Sequence, residues 1–139
     1  MQVKGMLWLT ATLLCAACAS APGPGAPGYA YNVSGPYTGR LMVEGQPFDA
    51  TLELRTARGG RVSGTFRVRA PLEIDGRVDG VVIDDLLRVT ITYRNNARVG
   101  CSGRIEGILT IDEGGGIVTG PVTISDCEDL LPGSMSFRR

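Results

Sequence analysis

Four cysteines carry most of the chemistry this chain could perform: Cys15 and Cys18 near the start, Cys101 and Cys127 far from it. No histidine accompanies them in 139 residues. That absence removes Ser-His and Cys-His nucleophiles, imidazole proton shuttles and every zinc site built with histidine. Ser63, Ser102, Ser125, Ser134 and Ser136 stand in no nucleophile motif and have no base. Acidic residues gather at Asp84-Asp85 and at Asp126, Glu128 and Asp129. Such oxygens suit a hard cation, but without EF-hand spacing they read as solvated turn carboxylates. Nothing among the acids selects a glycosidase pair. The Glu113–Gly116 turn precedes a strand pattern rather than a helix, so it is no phosphate loop. Fourteen basic residues balance fourteen acidic ones, which argues against a nucleic-acid binder. The expectation is a protein with no enzymatic activity, cofactor or metal.

The first seventeen residues read as a signal peptide. Lys4 provides the positive start, Gly5–Leu14 a short apolar run, and Cys15 to Ser20 a string of small residues. The apolar run falls short of the roughly 20 residues a spanning helix needs. Leu14-Cys15-Ala16-Ala17-Cys18 resembles the lipobox of bacterial lipoproteins, with Ala16 and Ala17 at the small positions and Cys15 where that family has Leu. The resemblance implies lipid attachment at Cys18, which would become the new N-terminus. Ala19-Ser20 after the cysteine then implies the outer membrane, facing the periplasm. The alternative is ordinary cleavage after Ala19, with Ala17 and Ala19 as the small pair.

Residues 18–36 follow as a Pro/Gly-rich tether. Ser20–Pro36 shows no apolar periodicity and reads as disordered. In polyproline II geometry it would reach roughly 50 Å, and Tyr29 and Tyr31 read as incidental aromatics within it.

From Tyr37 the apolar period is two, the mark of half-buried strands. Eight are expected: Tyr37–Glu44, Phe48–Arg55, Arg61–Arg69, Leu72–Val82, Leu86–Arg94, Cys101–Ile111, Ile117–Ser125 and Ser134–Arg138. Their connectors carry turn residues: Glu44–Pro47, Arg58–Gly60, Asp84-Asp85, Asn95-Asn96 and Glu113–Gly116. Connections this short pair strands antiparallel. One apolar face per strand requires the sheet to close on itself, so residues 37–139 are predicted to form an all-β, eight-stranded up-and-down barrel. A two-sheet β-sandwich is the alternative. The expected interior is Leu41, Val43, Leu52, Leu54, Val62, Phe66, Val68, Ile74, Val78, Leu87, Val89, Ile91, Ile105, Leu109, Val122, Ile124 and Phe137.

Five segments share a glycine on the apolar phase, at Gly39, Gly64, Gly80, Gly107 and Gly120. A common phase points to strand coiling around a narrow barrel rather than to composition. Pro121 lacks a ladder donor and predicts an edge or an imperfect seam. Cys101 and Cys127 would meet at the open end of a hairpin, and export makes a disulfide the default between them. Their phases disagree, which calls for a bulge or a chain departure near Ser125-Asp126.

Gly60-Arg61-Val62-Ser63-Gly64-Thr65-Phe66 resembles the Gly-x-x-Ser/Thr-Gly-Thr-aromatic strands of avidins, and the expected barrel resembles avidin-like and lipocalin-like small barrels. That resemblance implies the barrel but no biotin site, because the only tryptophan is Trp8, in the signal. The outer arginines, notably Arg61, Arg67 and Arg69, read as a solvated face. The expected function is a non-enzymatic binding or interaction module at the cell envelope, held on the membrane by lipid and meeting an envelope protein. The alternative is a carrier of a small apolar ligand inside the barrel; a filled core is the favoured arrangement.

Overall fold

The computed structural model describes residues 20–69, 71–95 and 101–139. The signal peptide, Cys18 and the Asn96 half of one connector lie outside these residues. Eight strands follow one another: β1 (Gly35–Val43), β2 (Gln46–Thr56), β3 (Arg61–Val68), β4 (Ile74–Ile83), β5 (Leu86–Asn95), β6 (Ser102–Ile111), β7 (Ile117–Asp126) and β8 (Asp129–Arg138). Each pairs antiparallel with the next, and β1 pairs with β8 from Thr38↔Arg138 to Val43↔Gly133. The barrel is closed, which excludes the sandwich.

The alternation sorts side chains as the period of two requires. Every expected interior residue is buried except Val43, which is half-buried at the rim. Val33, Tyr37, Ala50, Val82, Tyr93, Ile111, Val118 and Met135 complete the core. Arg40–Asp49, Arg67–Asp75, Arg77–Asp79 and Arg104–Glu106 pair on the outer wall at 2.9–3.7 Å, more than half exposed. At that exposure each is worth about 0–1 kcal/mol.

The interior glycines sit where neighbouring backbone comes close. A Cβ on Gly39 would strike the Ser136 carbonyl, and one on Gly64 the Glu53 carbonyl. Those on Gly80, Gly107 and Gly120 would lie 2.5–2.7 Å from the carbonyls of Arg88, Pro121 and Ile108. The shared phase is thus a requirement of strand coiling. Pro121 lies on no edge. The β6–β7 ladder runs Gly103↔Asp126 to Gly107↔Val122, then resumes at Thr110↔Thr119, so the proline occupies a gap within it.

Two expectations need correction. β8 begins at Asp129, five residues before Ser134, because Pro132 and Gly133 extend a strand that their residue types argue against. The second is the disordered stretch Ser20–Pro36, which is folded. Turns bonded Ala26 N to Gly23 O and Tyr29 N to Ala26 O coil the segment. Asn32 then locks it, accepting from Gly25 N and donating to Ala26 O, both at 2.8 Å. Val33 is fully buried and β1 begins at Gly35.

This cap crosses every connection at its end of the barrel. Gly59 N donates to Pro24 O (3.1 Å) and Gly114 N to Ala30 O (2.8 Å). Tyr29 Oη donates to Asp84 O (2.7 Å), and Val33 N donates to Thr56 Oγ1 (2.9 Å). Arg139 closes the joint by donating to Ser34 O and Gly114 O. Proline and glycine here build turns, and Gly25, at φ +83°, packs against the Ala57 carbonyl where no Cβ fits. Asn32→Ala would leave the Gly25 amide and the Ala26 carbonyl without their partner, so a loss of about 1–2 kcal/mol is expected. Hydrogen exchange should show the loss first in the amides of residues 25–33; uniform protection across the barrel would contradict a locally locked cap.

Candidate functional site

The opposite end carries the cysteines. Strand β7 continues to Asp126 and turns at Cys127-Glu128 into β8, with Asp126 opposite Asp129. Cys127 adopts φ +57° at this turn. The turn resolves the phase conflict, because Cys127 lies beyond its strand and no bulge is needed. Cys101 precedes β6, and its sulfur is bonded to that of Cys127 with Cα atoms 5.2 Å apart. The bridge ties the β5–β6 connection to the β7–β8 turn. Asp126 lies beside it, with Oδ1 3.9 Å from Cys101 Sγ. Ligand atoms of Cys101, Asp126 and Cys127 fall within 4.8 Å of one another. Bridged sulfurs, however, are not the thiolates a metal takes.

Tyr93 reaches this cluster from within the wall. Its ring covers Gly103, where a Cβ would overlap it, and its hydroxyl donates to Asp126 Oδ1 at 3.1 Å. Burial raises the Tyr93 phenol far above its ordinary 10.0, and the Asp126 charge and hydrogen bond push it the same way. Burial also raises Tyr37, against the opposing charge of Arg139. A phenol that the fold keeps protonated contributes stability that is fully present below its unfolded value, about 10, and is lost as pH climbs through the raised folded value. The melting temperature is therefore expected to fall steadily above pH 10. The Tyr93→Phe variant should lose part of that slope; an identical slope in both proteins would contradict the assignment.

Outside the cluster, the wall of β4, β5 and β6 forms an open depression. Asp75, Arg77, Thr92, Arg94, Ser102 and Arg104 line it, and Cys127 stands at its margin. Register places Arg77, Thr92 and Arg104 side by side across three strands, with Asp75, Arg94 and Ser102 in the next outward row. Three guanidinium groups against one lining carboxylate, beside the hydroxyls of Thr92, Ser102 and Ser125, suit a carboxylate or phosphate. Arg77 and Arg104 already face Asp79 and Glu106. The alternation in β4 to β6 contains these residues, but which strands would be neighbours follows only from the pairing.

Inside, the space over the glycines is occupied. A Cβ on Gly76 would lie 3.0 Å from Ile91 Cγ2 and 3.3 Å from Phe66 Cδ1. Leu87 Cδ1 fills the position over Gly80, Val122 Cγ1 that over Gly107 and Ile124 Cδ1 that over Gly133. Tyr37, Phe66, Leu87, Ile91, Leu109 and Phe137 are all fully buried. Side chains pack over the wall at these glycines; eight strands allow either a filled interior or one that holds a small ligand.

A capped end, a closed wall and a disulfide-clasped rim define a small closed antiparallel β-barrel. No family model and no curated protein matches the sequence. Among solved structures the chain is similar to a redesigned β-barrel, mFAP1, bound to DFHBI, at TM-score 0.60 and 18% identity over 77% of this chain and 94% of that one. It is also similar to EF1p2_mFAP2b bound to DFHBI, at TM-score 0.62 and 13% identity over 77% and 93%. At such identities the likeness shows the fold.

Proposed function

We propose that the protein is an exported, lipid-anchored barrel of the cell envelope that works as a non-enzymatic interaction module. It presents the arginine-lined depression beside its disulfide-clasped end to an acidic partner. The observation that carries this reading is the occupied interior: with side chains over the inner glycines and a cap across one end, recognition falls to the outer surface. Export and the anchor rest on Lys4, the Gly5–Leu14 run and the lipobox-like segment ending at Cys18. More than one acyl chain at that cysteine would give stable attachment. Carriage of a small apolar ligand is the second reading, and the DFHBI bound by both similar barrels favours it.

Palmitate labelling of the full chain tests the anchor. Wild type should label and Cys18→Ala should not; label retained in the variant would refute Cys18 as the site. Native mass spectrometry of the protein taken from its own envelope separates the two functional readings. The expected mass is the bare chain with its acyl groups, whereas a stoichiometric small apolar adduct would overturn the interaction module in favour of the carrier.

A further inference from the structure

We infer that the capped end of the barrel is a docking surface for a zwitterionic phospholipid bilayer, so that the anchored protein stands with its disulfide end pointing away from the membrane. The inference rests on lipid attachment at Cys18 and adds an orientation to it.

The cap sets the length of the leash. Its first bond to the barrel joins Pro24 O to Gly59 N, and Pro24 lies six positions after Cys18. Six residues reach at most about 22 Å when fully extended. The ten-residue strands of a tilted barrel carry the far rim about 25 Å from the capped one. A leash that short cannot run the length of the wall and leave slack to bring the disulfide end down onto the lipid.

The surface beside the leash suits an interface. Ile83 and Leu86 flank the Asp84-Asp85 turn and are 46% and 38% exposed, and Ile117 on the same rim is 37% exposed. Tyr29 is bonded to the backbone of that same turn and meets the Tyr31 ring edge-on at 5.9 Å. Tyrosine bodies with polar tips, beside exposed aliphatic groups, are the composition found where membrane meets water. Exposed charges of this rim include Asp84, Asp85, Asp112 and Glu113, balanced by Arg58, Arg61, Arg138 and Arg139. That balance gives anionic headgroups no basic patch to bind, so a zwitterionic surface suffices.

Trp8 is the only tryptophan and leaves with the signal, so single-tryptophan variants report contact cleanly. Ile83→Trp and Leu130→Trp would be purified with their lipid and reconstituted in phosphatidylcholine vesicles carrying brominated chains. Leu130, 71% exposed at the opposite end, serves as the comparison. Bromine should at least halve the emission of Ile83→Trp and leave that of Leu130→Trp unchanged, and the quenching should not strengthen as phosphatidylglycerol replaces phosphatidylcholine. Equal quenching, or stronger quenching of Leu130→Trp, in protein whose mass confirms the lipid overturns the orientation while the anchor stands. Protein without lipid on Cys18 overturns both. Should Ile83→Trp lose its cooperative melt, Leu86→Trp reads the same turn.

Discussion

Gly39→Val is expected to open the barrel. Gly39 faces inward on β1 where that strand meets β8, and the added Cβ would strike the Ser136 carbonyl and lie 2.7 Å from the Phe137 Cα. These are backbone atoms, which cannot swing aside as a side chain could. The β1–β8 seam holds six residue pairs against nine between β1 and β2, so closure has little register to spare. Forcing β1 outward would break that ladder and leave two unpaired edges. A loss of about 3 kcal/mol or more follows from overpacking against fixed atoms. The melting temperature should drop by roughly 10–20 °C, with association through the freed edges. Gly116→Ala is the matched control, because a Cβ there meets only the Asp112 carboxylate oxygens at 3.9 Å. If Gly39→Val melted within a degree or two of wild type, the close approach at the seam would be wrong.

Removal of the disulfide is the second large effect. Cys101 and Cys127 are 26 positions apart. Closing a loop of that length stabilises by about 3–4 kcal/mol on the chain-entropy account. The doubly substituted Cys101→Ala/Cys127→Ala protein should therefore melt well below wild type, and the loss should begin at the clasped end. Protection of amides in β6 and at the start of β8 should fall before that of the capped end does. The premise is checked on the same material: unreduced protein from the periplasm should contain no free thiol at these two positions. Two titratable thiols, or an unchanged melting temperature in the double variant, would remove the clasp from the description of this rim.

Strand order and the inside of the barrel were legible in the sequence. Phe48 to Arg55 and Leu86 to Arg94 alternate so regularly that only one face of each strand could be buried, and connectors of a few residues left antiparallel neighbours as the single economical pairing. The inward glycines were legible for the same reason, since phase is local information. The folded cap was less so. Proline and glycine serve tethers and turns alike, although Tyr29, Tyr31 and Val33 share the phase that β1 continues through Tyr37 and Leu41. Whether that segment packs depends on carbonyls and amides supplied by Gly59, Asp84 and Gly114, far along the chain.

The candidate site divides along the same line. The sequence by itself determined that Cys101 and Cys127 are the two cysteines within the strand region and that arginines line the outer faces, because residue type and strand phase are properties of short stretches. Only the tertiary structure decided that Cys127 belongs to a turn, that Arg77, Thr92 and Arg104 stand abreast, and that neighbouring side chains occupy the space over Gly76, Gly80, Gly107 and Gly133. Register, closure and packing are relations between strands distant in sequence, and they form together when the barrel closes.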